Sequence, residues 1–584
     1  MITKQQQLKF YKSELDALEN EVEQLFNSPA LALLEMGDLF LGIYRGYDSK
    51  RGNIFISFKN EIGRKTPRLD FPYSCFVLSE DVKYPKLWGS KTYRNLLQGL
   101  NSAVDISDIK LVNYMADETS GLVKGVCVDV GYEFVQNLQP GQLLGIGPTE
   151  PPFEYLLNLY RLTELILEKR SDMWEIFLED GLLHAADEER FPKIVEDGID
   201  LPQMLLEELE QHPAVILQGP PGTGKTHTIA DLLKRLALRN KSVIVASQSN
   251  QSVVEVCNKP FLNDLMREGR VFKTNLLSNE KSKFPHLEPL KDIYPEPGKI
   301  ILTTYYQFSK TWIEFAEQVF DYVIIEESSQ AFLTTISGAL KIGKKVLIVG
   351  DPYQLQPIVI NPDPTKISAE IYQLVNGLES LCNNPNIPYF RVIGSYRLNR
   401  RSVDYTNEFY QKTLVSKVDE EVKEKSSSVL QGFEELLNTS GGPVMIKIDL
   451  SGTGKDVPQL VNFLAQFIDF IKYLDSKHEI SVLTPFKKTL SFLQRELNVR
   501  TKNKAYRVET VDRVQGMDVD YCFFVIPDDN LVHALNRNRF NVATSRAKKA
   551  TIIITDKKIT QRMTGHPDVL RYLSRLETEF SFEI

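Results

Sequence analysis

The sequence predicts an α/β protein: two sequential parallel-sheet units, preceded by a smaller β-rich unit set between two long helices. Three observations carry this. A glycine-rich turn, Gly219-Pro-Pro-Gly-Thr-Gly-Lys-Thr226, lies between an apolar strand-like run, Ala214 to Leu217, and a helix-like run, Ile229 to Leu236. Strand-like and helix-like runs alternate from there to about residue 350, and a second alternating set begins near Phe390. Alternation of this kind builds parallel sheets, because each parallel connection needs a crossover helix.

Taken in order, residues 4 to 26 read as one helix. Leu8, Tyr11, Leu15, Leu18, Val22 and Leu25 alternate at spacings of three and four and form a coiled-coil-like seam. From Gly37 the pattern changes. Phe40 to Arg45, the turn around Asp48 to Gly52, and Ile54 to Phe58 read as a β-hairpin, with Leu122 to Val130 and Leu143 to Ile146 as further strands. Pro151-Pro152 opens a second long helix with Leu156, Leu159, Leu162 and Ile166 on one face. The two helices flank the β-rich unit. They either pair antiparallel as a stalk or serve as two ordinary core helices. An acidic stretch, 186 to 210, leads to the first sheet unit, whose strands are expected at Ser242 to Ala246, Lys299 to Leu302, Tyr322 to Ile325 and Lys345 to Val349. The second unit takes Met445 to Ile448, Ile480 to Leu483, Tyr521 to Ile526 and Thr551 to Ile554. The expected boundaries are 1–36, 37–149, 150–185, 186–388 and 389–584.

Bulk properties bound the answer. A length of 584 residues suits about three or four domains. With 42% hydrophobic and 25% charged residues the chain reads as an ordinary soluble globular protein. No apolar run is long enough to span a membrane, and the N-terminus lacks the apolar core of a secretion signal. The five cysteines are widely separated, without a Cys-x-x-Cys pair, and the seven histidines are scattered. That argues against a disulfide or zinc framework and for a reducing, cytoplasmic setting. A net charge of −8 argues against general polyanion binding but leaves room for a local basic groove. A monomer is expected.

The glycine-rich turn has P-loop spacing. Gly219, Gly222 and Gly224, with Pro220, Pro221 and Thr223 between them, let backbone N–H groups close around phosphate oxygens at a helix N-terminus. Lys225 is placed to reach the β- and γ-phosphates of ATP, and Thr226 to put its hydroxyl on Mg²⁺. The strand Tyr322 to Ile325 ends in Glu326-Glu327, a carboxylate pair facing the P-loop crevice. One acid of the pair suits the magnesium shell and the other the attacking water. Gln354, after the next strand, is a γ-phosphate sensor candidate. Arg397 and Arg546, from the second unit, suit arginine fingers that make hydrolysis report on closure of the two units.

The order of these segments resembles superfamily 1 helicases, the branch containing the nonsense-mediated-decay helicase and its DNA-unwinding relatives. The resemblance spans roughly residues 200 to 556. Ala246-Ser-Gln-Ser-Asn250, Thr303-Thr304, Leu483-Thr-Pro-Phe486 and Thr510-Val-Asp-Arg-Val-Gln515-Gly516-Met-Asp518 are similar to that branch's further motifs. The resemblance implies tandem RecA-like motor domains and a small β-barrel on a helical stalk attached to the first. It implies adenine stacking by Tyr396, adenine reading by Gln203, and nucleotide-side roles for Gly516 and Asp518. It also implies single-stranded DNA or RNA as partner and 5′ to 3′ stepping.

Several features depart from the pattern. Glu326 stands where the family has Asp. Only about seventy residues separate Asn250 from Asp321, too few for a large insertion. No cysteine-cluster domain or nuclease is recognisable. Ser451-Gly-Thr-Gly-Lys455 imitates a second P-loop but has Asp449 where the first glycine is needed and Asp456 in place of Ser or Thr. It is read as a loop.

Nucleic-acid contacts are expected from Ser249, Asn250, Thr303, Thr304 and Thr510 through hydroxyl and amide groups, and from Pro485 and Phe486, with Phe486 as a base-stacking face. Local basic clusters lie at Arg397 to Arg401, Lys487 to Arg507 and Arg537 to Lys549. The same motifs serve an ATP-hydrolysing clamp or switch that does not unwind. An ATPase acting on a protein partner through the Leu8 to Leu25 seam is the third reading.

Overall fold

The computed structural model describes residues 3–59, 66–67, 71–101, 104–117, 122–149, 153–165, 190–360, 369–418, 442–450, 454, 456–514, 516–561 and 565–583. Pro151-Pro152, Ile166, the acidic stretch up to residue 189, Gln515 and the Ser451 to Lys455 imitation apart from Gly454 lie outside them.

The N-terminal helix Lys4–Phe26 begins at a Thr3 capping box, in which Thr3 and Gln6 satisfy each other's backbone N–H groups. It runs antiparallel to helix Phe153–Glu164, since Lys4 Nζ reaches Glu164 O at 2.8 Å. Tyr11, Leu15, Leu18, Leu156, Leu159 and Leu162 are buried in the same core as Phe308, Trp312 and Ile336 of the first sheet unit. The far end of the first helix instead reaches the β-rich unit, where Phe26 packs on Tyr93 and Glu23 pairs with Arg94.

The β-rich unit is a closed barrel. Strands β1 (Phe40–Asp48), β2 (Asn53–Lys59), β3 (Pro72–Val77), β4 (Ile106–Asp117), β5 (Leu122–Val128) and β6 (Leu143–Gly147) close in the order β1-β2-β5-β4-β3-β6, every pair antiparallel. Closure leaves no free edge, and Ile54, Ile56, Leu111, Cys127 and Ile146 fill the interior. The barrel docks on segment 276–282 of the next unit: Ser278 N donates to Val130 O, Tyr132 N to Leu276 O, and Ser278 Oγ to Gly52 O at 2.6 Å. Gly52, at φ +69°, allows this approach, because a Cβ there would stand 2.3 Å from the Asn279 backbone.

The first sheet holds β7 (Lys193–Ile194), β8 (Ala214–Gln218), β9 (Val243–Ser247), β10 (Val271–Thr274), β11 (Glu288–Leu290), β12 (Ile300–Thr304), β13 (Phe320–Ile325), β14 (Gly343–Gly350) and β15 (Tyr389–Arg391). The order is β11-β10-β12-β9-β13-β14-β8-β15-β7, all parallel. Alternate residues of each central strand enter opposite cores: Ile216, Ile244, Val323 and Ile348 on one face, Leu217, Val245, Ile324 and Val349 on the other. A sheet covered on both faces requires the continuous apolar runs seen in the sequence. One boundary needs correction. β15, expected at the head of the second unit, is hydrogen-bonded to the P-loop strand β8, so the first sheet extends past residue 388. Three residues of chain fill the edge that β8 would otherwise expose.

A short parallel pair, β16 (Gly394–Ser395) and β17 (Val415–Ser416), leads to the second sheet. That sheet orders β18 (Val444–Ile448), β19 (Ile480–Thr484), β20 (Arg507–Thr510), β21 (Val519–Ile526), β22 (Ala547–Asp556) and β23 (Ser581–Glu583) as β20-β19-β21-β22-β18-β23, again all parallel.

Candidate nucleotide site between two parallel sheets

Because β13, β14 and β8 are parallel neighbours, their C-terminal ends share one edge. That edge delivers Glu326 and Glu327, Asp351 to Gln354, and the Gly219–Thr226 turn to one place. Gly224, at φ +81°, caps helix Lys225–Leu238, whose first N–H groups open onto the turn. Lys225 Nζ donates to Gly219 O at 2.6 Å and so lies folded over its own loop.

A cavity of about 190 Å³ is lined by Pro221, Gly222, Thr223, Gly224, Lys225, Thr226, Glu327, Gln354, Tyr396, Arg397, Gly516, Asp518 and Arg546. Residues separated by more than three hundred positions in the chain thus meet at one space. The β16 segment is pinned to the P-loop: Tyr396 N donates to Gly222 O at 2.8 Å and Ser395 Oγ to Pro221 O at 2.9 Å. The Tyr396 ring stays 71% exposed at the rim, available to stack. From the second unit, Arg546 Nη2 donates to Gln354 Oε1 at 3.2 Å, and Gln354 Nε2 donates to Asp351 Oδ2 at 2.9 Å. Arg397 pairs with Asp518 and donates through Nη1 to Ser545 O at 3.1 Å.

The electrostatics point to a polyanion with a hard cation. Burial first, and then the Arg397 charge, pull the Arg546 pKa down to about 10, with Glu327 acting the other way. Arg397 Nε is buried with no hydrogen-bond partner among the described residues. Two crowded guanidiniums with an unsatisfied donor are suited to phosphate oxygens. Burial, and then Glu327, push the Glu326 carboxyl up to about 8, while the Ser247 hydroxyl and Lys225 lower it. The Thr226 hydroxyl on the cavity wall, with the Glu326 carboxyl behind it, offers oxygen donors of the kind Mg²⁺ takes, so the residues fit a magnesium–nucleotide. Glu327 adopts a left-handed backbone, φ +53° and ψ +42°, which costs a non-glycine residue about 1–3 kcal/mol.

Some expected residues fall elsewhere. Gln203 does not line the cavity. It is capped by Asp200 on helix Leu201–Gln211, its amide donates to Glu207 at 2.9 Å, and it accepts from Arg239 at 3.3 Å. Glu326 sits behind the cavity wall, bonded to Ser247 Oγ at 2.9 Å. Gly219 and Pro220 shape the turn without lining the space. Three lining residues were missed: His227, Glu255 and Lys259. His227 follows Thr226 directly, so continuing one residue into the helix would have found it. Glu255 and Lys259 pair with each other at 2.8 Å and carry no distinguishing sequence signal.

A groove of about 1100 Å³ opens beside the cavity, between the barrel and the first unit, with Arg507 from the second. Of the expected nucleic-acid residues only Asn250 lines it. Ser249 caps helix Asn250–Cys257 with its side chain, and Thr304 stands at the N-cap position of helix Tyr305–Glu314 without a side-chain bond to it. Thr303 is buried and spends its hydroxyl on Thr274 at 2.8 Å. Thr510 and Pro485 are buried. Phe486 is not an open stacking face: it lies in the second unit's core with its ring stacked on His533, centroids 5.4 Å apart. The groove's cations, Lys283, Lys291, Lys310 and Arg507, are outnumbered by carboxylates such as Asp108, Glu133 and Glu314. The basic cluster near residue 540 is largely paired, Arg537 with Asp568 and Arg539 with Asp512. Among the described residues no helix is long and apolar enough to cross a membrane.

Arginines from one parallel-sheet unit closed over a phosphate loop on another define the class: a P-loop nucleotide-binding protein built from two α/β units. Comparison with known proteins agrees. Residues 202–286 and 295–362 match one AAA domain family and residues 378–558 a second. The chain is 29% identical over 381 residues to the DNA replication ATP-dependent helicase/nuclease dna2 of Schizosaccharomyces pombe, covering 59% of this chain and 26% of that protein. It is 26% identical over 444 residues to the mouse DNA2 helicase/nuclease, covering 68% and 40%. It is 25% identical over 417 residues to the S. pombe DNA polymerase alpha-associated DNA helicase A, covering 58% and 60%. The matches therefore span less than two thirds of each of these relatives. The chain belongs to the superfamily 1 helicases, related to the DNA2 and nonsense-mediated-decay types.

Proposed function

We propose that the chain is an ATP-driven helicase or translocase moving 5′ to 3′ along single-stranded nucleic acid. In this reading the two parallel-sheet units are tandem RecA-like motor domains. The antiparallel helix pair is a stalk, and the barrel a guide or strand separator. One observation carries the reading: Arg397 and Arg546 meet Lys225, Glu327 and Gln354 on a single cavity between the two sheets.

Each residue then has a task. The P-loop N–H groups and Lys225 hold the β- and γ-phosphates of ATP. Thr226 and Glu326 would hold Mg²⁺, which neutralises charge building on the phosphate oxygens. Glu327, which lines the cavity, orients the attacking water and accepts its proton. Arg397 and Arg546 stabilise the charge on the transferred phosphoryl group. Tyr396 stacks on the base. Hydrolysis removes the bridge between the two units and lets them part, so each turnover shifts one unit's backbone contacts along the strand.

The relatives are named for DNA replication, which favours DNA as the track. The test is steady-state ATP hydrolysis alone, with single-stranded DNA and with single-stranded RNA, followed by displacement of a duplex with a 5′ overhang. Stimulation by DNA together with displacement is expected. Stimulation without displacement would replace the helicase by a clamp or switch. Turnover indifferent to both polymers would overturn the nucleic-acid reading in favour of a protein-directed ATPase.

A further inference from the structure

The segment Asn407–Leu414 belongs to none of the motifs above, yet its Tyr410 is wholly buried at the junction of the two units. Its hydroxyl donates to Asp351 Oδ2 at 2.5 Å and accepts from Asn541 Nδ2 at 2.7 Å. Burial, with Asp351 next to it, raises the phenol well above its ordinary value, so the hydroxyl keeps the proton it donates.

The direction of each bond is fixed by chemistry. Asn541 Nδ2 also donates to the Tyr353 carbonyl at 2.7 Å, and a carbonyl only accepts, so the amide must present its NH₂ to this side. Asp351 is a carboxylate acceptor. It therefore turns the Gln354 NH₂ toward itself and leaves Gln354 Oε1 facing Arg546. The result is a closed circuit: Asn541 to Tyr410, Tyr410 to Asp351, Gln354 to Asp351, and Arg546 to Gln354. It closes because Asn541 and Arg546 are five residues apart on one segment of the second unit. Asn538, one turn before Asn541, reinforces the same junction by donating to Pro352 O at 3.1 Å and Gln354 O at 2.6 Å.

We propose that Tyr410 is a positioning residue that sets the Gln354–Arg546 contact by holding the Asp351 carboxylate against Asn541 of the second unit. This rests on the reading of Gln354 and Arg546 as γ-phosphate-side groups. Without the hydroxyl, Asp351 Oδ2 keeps one donor instead of two. Gln218 Nε2 and the Tyr353 N–H still hold Oδ1, at 3.1 and 3.3 Å, but Oδ2 loses its tie to the second unit and shifts about that anchor, carrying Gln354 out of the orientation that meets Arg546.

The test is Tyr410→Phe, assayed for ATP hydrolysis at saturating single-stranded DNA, alone and combined with Gln354→Ala. The kcat of Tyr410→Phe is expected to fall about tenfold with KM for ATP within about twofold, the pattern of a lost transition-state contact. In the Gln354→Ala background the same substitution is expected to add no further loss, because the two act through one contact. Asn541→Ala is expected to give the same split and the same non-additivity with Gln354→Ala, and so serves as a second route should the phenylalanine variant fold poorly. An unchanged kcat in Tyr410→Phe, or an equal loss in the presence and absence of the Gln354 side chain, overturns the proposal. Wild-type kcat in Gln354→Ala alone would instead remove the γ-phosphate reading on which it stands.

Discussion

Replacing Arg546 with methionine is expected to remove most hydrolysis while leaving the nucleotide-free fold no less stable. The guanidinium is only 3% exposed and sits beside Arg397. Its pKa is drawn down to about 10, chiefly by burial and then by that like charge. A fall from the usual value near 12.5 costs the folded state about 3 kcal/mol at neutral pH, at about 1.4 kcal/mol per unit. The sign follows from linkage. Below about pH 10 the group is charged in both states and the cost is fully present; it is relieved only as pH rises through 10 toward 12.5. Methionine keeps the length of the chain and removes the charge. It also leaves the Val542 carbonyl, accepted at 3.0 Å, and Gln354 Oε1 without this donor, which offsets part of the gain. The melting midpoint should therefore hold or rise. On the catalytic side, loss of an arginine finger lowers kcat by about 10³, equivalent to about 4 kcal/mol of barrier. Nucleotide should also raise the midpoint less in the variant, because triphosphate charge offsets guanidinium crowding only where the guanidinium is present. The assay is DNA-stimulated ATP hydrolysis alongside thermal melting, with and without a non-hydrolysable nucleotide. A kcat within about tenfold of wild type refutes the finger role. A nucleotide-free midpoint lowered by more than about 5 °C refutes the charge argument.

Lys225→Ala should abolish turnover and leave single-strand binding intact, measured by hydrolysis and by fluorescence anisotropy of a labelled strand; retained turnover would sink the P-loop assignment. Tyr396→Ala should raise KM for ATP about tenfold with kcat nearly unchanged, since stacking contributes roughly 1–3 kcal/mol to ground state and transition state alike; a loss confined to kcat contradicts base stacking. Lys273→Met should destabilise the chain by about 3–5 kcal/mol in urea unfolding. It strands buried Glu280, which the ammonium meets at 2.9 Å, and Lys273→Met with Glu280→Leu should recover much of the loss. Equal stability of single and double variants would show that the pair carries no such penalty.

The nucleotide site was legible because its chemistry is local in sequence. A P-loop must be a contiguous turn between strand and helix, and an acid pair must follow a strand, so spacing picked out Lys225, Thr226 and the pair Glu326-Glu327, while the division of roles within the pair came from the family resemblance. The parallel sheets were legible because strands buried on both faces, such as Val243–Ser247, are unbroken apolar runs. The short strands β10 and β11 were missed because three or four residues give no period to read, and β15, though seen, was placed in the wrong unit because three residues say nothing of which sheet they join. The nucleic-acid residues were read poorly for a different reason. Thr303 and Phe486 have the right chemistry, but whether a hydroxyl or a ring faces solvent depends on neighbours far off in the chain, Thr274 and His533. Tyr410 and Asn538 carry no motif, and their place appears only once the two sheets are docked.

The topology also sets where the cavity and the groove lie relative to each other. First-unit groups of the nucleotide cavity come from the C-terminal ends of β8 and β13 and from the loop after β14, whereas Gly516, Asp518 and Arg546 come from loops preceding β21 and β22. Neither unit alone encloses the cavity, so its geometry is a function of how the units dock. The groove is tied to the same event by one helix. Asn250, at the start of Asn250–Cys257, lines the groove, and Glu255, one and a half turns on, lines both groove and cavity. At about 1.5 Å per residue the two side chains are separated by roughly 7–8 Å of rigid helix. Lys273 holds the Asn250 end at 3.0 Å, and Lys259 holds the Glu255 end at 2.8 Å. Groove and cavity therefore share one wall: a helix of eight residues spans both.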